Sequence, residues 1–162
     1  MTYNYSINDT KIIEIHKKGC HNMAIKGIED VKKFLQALPE LLDSEDTWQI
    51  NNRPWANGKV NKTMQYMAET GIGTEVIKNV VRELKVKHYS STEDDYNVNF
   101  QHEQVWKFGI TKNLVDEEEK LYIKLKIRAF ENGDFLLIMS FHPESPKHLT
   151  DELKFPYKDY EG

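Results

Sequence analysis

Lys120-Leu121-Tyr122-Ile123-Lys124-Leu125-Lys126-Ile127-Arg128 alternates apolar and polar side chains without a break. A strand has a side-chain period of two, so Leu121, Ile123, Leu125 and Ile127 share one face. Tyr122, Lys124, Lys126 and Arg128 share the other. The loop Glu131-Asn132-Gly133-Asp134 has turn composition and leads into Phe135-Leu136-Leu137-Ile138-Met139-Ser140-Phe141-His142-Pro143. The two segments therefore read as a hairpin. One face suits a core, and the other presents a tyrosine, several cations and a strand-end histidine. Such a face can hold a phosphodiester and move protons around it.

Upstream of the hairpin the pattern changes period. Lys11 to Ile15 is a short strand candidate. Ile28, Val31, Leu35, Leu38 and Leu42 lie at helical spacing, predicting a helix over 28–42 that Pro39 kinks or shortens. The stretch 43–58 is polar and turn-rich apart from Trp48 and Trp55, and reads as irregular. Lys62 to Thr70 predicts a helix ended by Gly71. Thr74 is placed to cap a further helix, whose stripe is Val76, Ile77, Val80, Val81 and Leu84. Strands follow at 97–110, 121–130 and 135–142, with Gly109 ending the first of them or marking a bulge. Helices first and an antiparallel sheet afterwards make an α+β domain. The tail after Pro143 is polar and is expected to wrap the surface or fray.

The 162 residues carry a net charge of -4, 39% hydrophobic and 30% charged side chains. These values suit one globular domain and argue against indiscriminate nucleic-acid binding, which requires a basic excess. The charges are segregated, however: Glu93-Asp94-Asp95 and Asp116-Glu117-Glu118-Glu119 read as acidic loops, while 120–128 holds only cations. No apolar run is long enough to span a bilayer, and the start lacks the pattern of a signal peptide. Cys20 is the single cysteine. No internal disulfide can form, and a cytoplasmic location is expected.

The order of motifs resembles a known family. Val31-Lys32-Lys33-Phe34-Leu35 opens the first helix, and Met67-Ala68-Glu69-Thr70-Gly71-Ile72 leads into Val76-Ile77-Lys78-Asn79-Val80-Val81-Arg82-Glu83-Leu84. His88-Tyr89-Ser90-Ser91, Val105-Trp106-Lys107, Leu121-Tyr122-Ile123-Lys124-Leu125 and Leu137-Ile138-Met139-Ser140-Phe141-His142 follow. This succession, over about residues 31–142, resembles the MqsR family of toxins, ribonucleases of RelE-like fold from type II toxin–antitoxin systems.

The resemblance implies N-terminal helices packed on a C-terminal antiparallel sheet. It divides the chain into an extension (1–30), a toxin domain (31–143) and a tail (144–162). It implies an mRNA interferase that needs no metal or other cofactor, with RNA and a cognate antitoxin protein as partners. Tyr122 matches the family's strand tyrosine, His142 falls where members place a basic residue, and Lys107 follows the strand tryptophan. A family lysine expected after His88-Tyr89 is replaced by Ser90, with Lys87 and His88 close enough to substitute.

Metal-free RNA cleavage needs a base for the 2′-hydroxyl, an acid for the leaving oxygen and cations for the phosphorane charge. His142 suits acid or base, since imidazole titrates near neutrality. Tyr122 suits orientation of the phosphate or proton transfer. The expected catalytic set is thus His142, Tyr122 and Lys107. Lys87, His88, Lys124, Lys126 and Arg128 are the expected RNA contacts. Read from alternation alone, the same face is an ordinary solvated sheet surface, with Lys126 and Arg128 keeping an edge soluble. A non-catalytic phage or mobile-element binding protein of the same fold is the alternative. His16, Cys20 and His21 lie close together around Gly19, but they lack a fourth zinc ligand and read as incidental turn residues.

Overall fold

The computed structural model describes residues 10–13, 23–54, 58–95, 97–100, 102–144 and 153–162. The chain is α+β. Its elements are β1 (Thr10–Ile13), β2 (Met23–Lys26), α1 (Ile28–Asp43), β3 (Trp48–Ile50), α2 (Lys62–Thr70) and α3 (Thr74–Arg82), followed by β4 (Tyr89–Asp94), β5 (Gln104–Val115), β6 (Glu117–Phe130) and β7 (Gly133–Pro143). Short 3-10 turns occupy Val86–His88 and Val98–Phe100. One sheet contains all seven strands in the order β1-β2-β4-β5-β6-β7-β3. Every pairing is antiparallel except that of β3 with β7. No helix of the described residues is long and apolar enough to cross a membrane.

The apolar faces meet as period dictates. Val31, Phe34, Leu38, Leu41 and Leu42 of α1 and Ile77, Val80 and Val81 of α3 are buried. Opposite them lie Phe108, Leu121, Ile123, Leu125, Leu136, Ile138 and Phe141 of the sheet. Phe34 stacks on Trp106, centroids 4.3 Å apart and 14° between planes. The buried Tyr89 hydroxyl accepts from the Lys26 amide (3.0 Å) and bonds Thr92 Oγ1 (2.7 Å), joining β2 to β4.

Several sequence expectations are corrected. Pro39 does not split off the last turn of α1, which runs on to Asp43, because Leu38, Leu41 and Leu42 anchor that turn on the core despite the amide that Pro39 lacks. The stretch expected to be irregular contains β3, a three-residue strand too short to show a period. Thr74 is the first residue of α3 and not its cap: Gly73 occupies that position, with no side-chain bond. The strand expected from residue 97 starts at Gln104 and runs on past Gly109. The sheet is accordingly mixed, and the region expected to be an extension supplies β1 and β2 to it. The cap at Gly71 is as expected, with φ 75° and its amide bonded to the Met67 carbonyl (2.8 Å).

Gly109 is a close-approach glycine. A Cβ there would lie 2.7 Å from Leu153 Cδ1 and 2.7 Å from Phe155 Cζ. The tail thus packs on β5 and continues towards α1. Tyr157 stacks on Tyr89 and donates to the Lys26 carbonyl (2.7 Å), and Lys32 Nζ sits 5.2 Å from the Tyr160 ring centroid.

Candidate functional site

The face of the sheet turned away from α1 and α3 carries Tyr122, Lys124, Lys126 and Arg128, as their alternation predicts. Register places Tyr122 opposite His142 and Lys124 opposite Ser140. The Tyr122 and His142 rings stack, with centroids 5.3 Å apart and planes at 24°. His142 Nδ1 lies 2.9 Å from the Pro143 carbonyl oxygen. A carbonyl can only accept, so Nδ1 carries the hydrogen, and in the neutral ring Nε2 holds the lone pair. This is the tautomer a general base needs if Nε2 faces its substrate.

These residues form one wall of a cleft of about 560 Å³. The other wall is the segment entering α2, with Lys59, Asn61, Lys62 and Gln65. Asn61 builds that wall. Its Oδ1 accepts from the Met64 amide (3.1 Å), while Nδ2 donates to the carbonyls of Asn51 (3.0 Å) and Arg53 (2.9 Å). Thr63 Oγ1 accepts from the Phe141 amide (2.9 Å), fixing α2 to the free edge of β7 beyond β3. Sequence reading missed this wall. Its signal was an N-cap asparagine between lysines, legible as a helix start and silent about what the helix faces.

Lys126 and Arg128 of the stripe are held within the protein. Lys126 is 3% exposed and its Nζ meets Asp95 Oδ2 (2.5 Å) and Glu103 Oε1 (3.2 Å). Arg128 grips Glu103 with both Nε and Nη2 at 2.9 Å. That fork holds the Glu103 carboxyl below the usual range and raises Arg128. Both cations also sit over Phe100, with Arg128 Cζ 4.1 Å and Lys126 Nζ 4.9 Å from its centroid. Lys107, register partner of Lys124, pairs with buried Glu93 (3.0 Å). The two acidic runs are therefore not solvated loops throughout. Glu93 and Asp94 belong to β4 and Glu117–Glu119 to β6, and Glu93 and Asp95 are buried counterions of the basic stripe.

Lys87 and His88 lie elsewhere. They line a cavity of about 390 Å³ with Gly109, Lys120, Leu153 and Phe155, which shares no lining residue with the Tyr122–His142 cleft. His88 Nδ1 accepts from the Lys85 amide (2.9 Å). Burial, assisted by Lys87 and Lys85, pushes the ring down to about 4, so it is neutral at pH 7. Ser90 is buried at the bulge in the β4–β5 register, outside the cleft. His16, Cys20 and His21 lie outside the described residues.

Chemically, the cleft combines an imidazole of defined tautomer, a phenol stacked upon it, and lysines on both walls. No family model, no curated protein and no solved structure matches the chain.

Proposed function

We propose that this chain is an endoribonuclease toxin of RelE-like type, cleaving single-stranded mRNA without a metal in the cleft between β6–β7 and α2. The observation that carries the reading is the register pair Tyr122–His142, stacked at the wall of a cleft lined by Lys59, Lys62 and Lys124. His142 Nε2 takes the proton from the 2′-hydroxyl, and the 2′-oxygen attacks the adjacent phosphorus. The bond from phosphorus to the 5′-oxygen breaks, and that oxygen gains a proton from Tyr122 or a cleft lysine. The products are a 2′,3′-cyclic phosphate and a 5′-hydroxyl end. The lysines balance charge on the phosphorane. Lys107, Lys126 and Arg128 act here as scaffold, since Glu93, Asp95 and Glu103 hold them. A protein antitoxin and a cytoplasmic setting belong to the same proposal.

The test is incubation of the purified chain with a defined single-stranded RNA in excess EDTA. Discrete fragments ending in cyclic phosphate are expected. His142→Ala should slow their formation by roughly 10²- to 10⁴-fold, the usual contribution of a general acid or base. Intact RNA from folded protein would refute the proposal. The internal neutralisation of Lys107, Lys126 and Arg128 favours a second reading, a binding module without chemistry. That reading is selected if RNA is retained and never cut.

A further inference from the structure

A second cavity, of about 530 Å³, opens on the same face of the sheet beyond Met139. We propose that it is a nucleobase-stacking subsite for single-stranded RNA, occupied by a base several nucleotides from the scissile phosphate. The inference rests on the cleavage cleft assigned above and adds the path of the substrate.

The stacking surface is Phe130. It ends β6 with 52% of its surface exposed, and its ring meets Phe135 edge-on, centroids 6.3 Å apart at 77°. Among the described residues the exposed large apolar side chains are Phe130 and Val60. Val60 lines the cleavage cleft and Phe130 lines this cavity. A face that leaves a phenylalanine in water at one end and a lysine-walled cleft at the other suits a ligand with aromatic and anionic parts. Single-stranded RNA is such a ligand, since its bases stack on aromatic side chains while its phosphates seek cations.

Polar groups fit the same ligand. Gln49, Asn51 and Asn97 offer amide donors and acceptors at the cavity wall, suited to the edges of a base. Arg53, exposed on the same wall, suits a phosphate. Lys126 and Arg128 lie at the floor with their charges balanced by Asp95 and Glu103. The subsite thus reads a base and adds little net charge beyond Arg53.

A β-bulge joins the two cavities. Lys124 pairs with Ser140 and Leu125 with Ile138, leaving Met139 as the extra residue of β7. Met139 lines both cavities. Along β7 the interval from His142 to Phe135 is on the order of 20 Å at ~3.3 Å per residue. A dinucleotide held at His142 does not span it, and a longer strand does.

The test compares two substrates. The Kd of a labelled single-stranded RNA of about ten nucleotides is measured by fluorescence anisotropy on His142→Ala, with and without Phe130→Ala. Cleavage of a dinucleotide is measured with the otherwise unaltered chain and with Phe130→Ala. Loss of one base stack predicts a Kd weaker by roughly 5- to 150-fold, with dinucleotide cleavage unchanged and Phe130→Tyr restoring affinity. Phe130 is exposed, so truncation leaves the core intact. An unchanged Kd alongside active cleavage would overturn the subsite and leave the nuclease standing. Equal losses on both substrates would overturn it too, by marking Phe130 as structural. Absence of both binding and cleavage in the unaltered chain would overturn the two proposals together.

Discussion

Replacing Lys126 with methionine separates a scaffold cation from an RNA contact. Nζ lies 2.5 Å from Asp95 and 3.2 Å from Glu103, and the Lys126 and Asp95 side chains are 4% and 9% exposed. Methionine preserves most of the volume packed over Phe100 and removes the charge. Glu103 retains the Arg128 fork, whereas Asp95 is left with the Asn97 amide on its Oδ1 (2.8 Å). Breaking a buried pair by removing one partner costs about 3–5 kcal/mol. Urea unfolding followed by tryptophan fluorescence at pH 7 measures the difference. A loss under about 1 kcal/mol, the size of an exposed pair, would refute the reasoning. The salt dependence of RNA binding should stay unchanged, whereas loss of a phosphate contact would lower the slope by about 0.7.

Asn61→Ala removes a helix cap and two carbonyl partners, and should cost about 2–4 kcal/mol while slowing cleavage by loosening the lysine wall; stability within ~0.5 kcal/mol of the parent would contradict this. Gly109→Ala forces a methyl group into Leu153 and Phe155 and should lift the C-terminal segment, costing about 1–3 kcal/mol. Chymotrypsin should then cut after Tyr157 faster than in the parent, and unchanged protection would count against the packing described. His88 titrates near 6.5 unfolded and at about 4 folded, so its contribution is full above pH 6.5 and disappears as pH falls through 4. The full shift corresponds to about 3.4 kcal/mol, reduced by partial exposure to on the order of 1–2 kcal/mol. His88→Asn should abolish that acid-dependent loss, and a stability difference from the parent that stays flat between pH 6.5 and 4 would be contrary.

The hairpin was legible because alternation is local: each residue of 121–128 declares its face without reference to the rest of the chain. The stripe of α3 and the cap at Gly71 were legible for the same reason. The state of the basic stripe was not. Whether Lys126 is an RNA contact or an internal ion pair depends on Asp95 and Glu103, which lie 31 and 23 residues away in sequence. The run Glu93-Asp94-Asp95 looked like loop because its charges are uncompensated in sequence and compensated only in space. Pro39 misled because local propensity opposes a helix there, while tertiary packing of Leu38, Leu41 and Leu42 supports it. The juxtaposition of Tyr122 and His142 was implied by the hairpin. The lysines facing them across the cleft required the parallel pairing of β3, which no local pattern announces.

That parallel pairing has a kinetic consequence. Ile50 meets Ile138 across 88 intervening steps of chain, and the Asn51 amide bonds the Ile138 carbonyl (2.9 Å). Closing so long a loop costs entropy before any contact offsets it, and folding slows as sequence separation grows. The carbonyls of Asn51 and Arg53 that hold Asn61 are therefore positioned only once β7 has docked. The lysine wall follows them, so the cleft belongs to the late-forming part of the molecule. A folding chain acquires its helices and hairpin first and its cleft last.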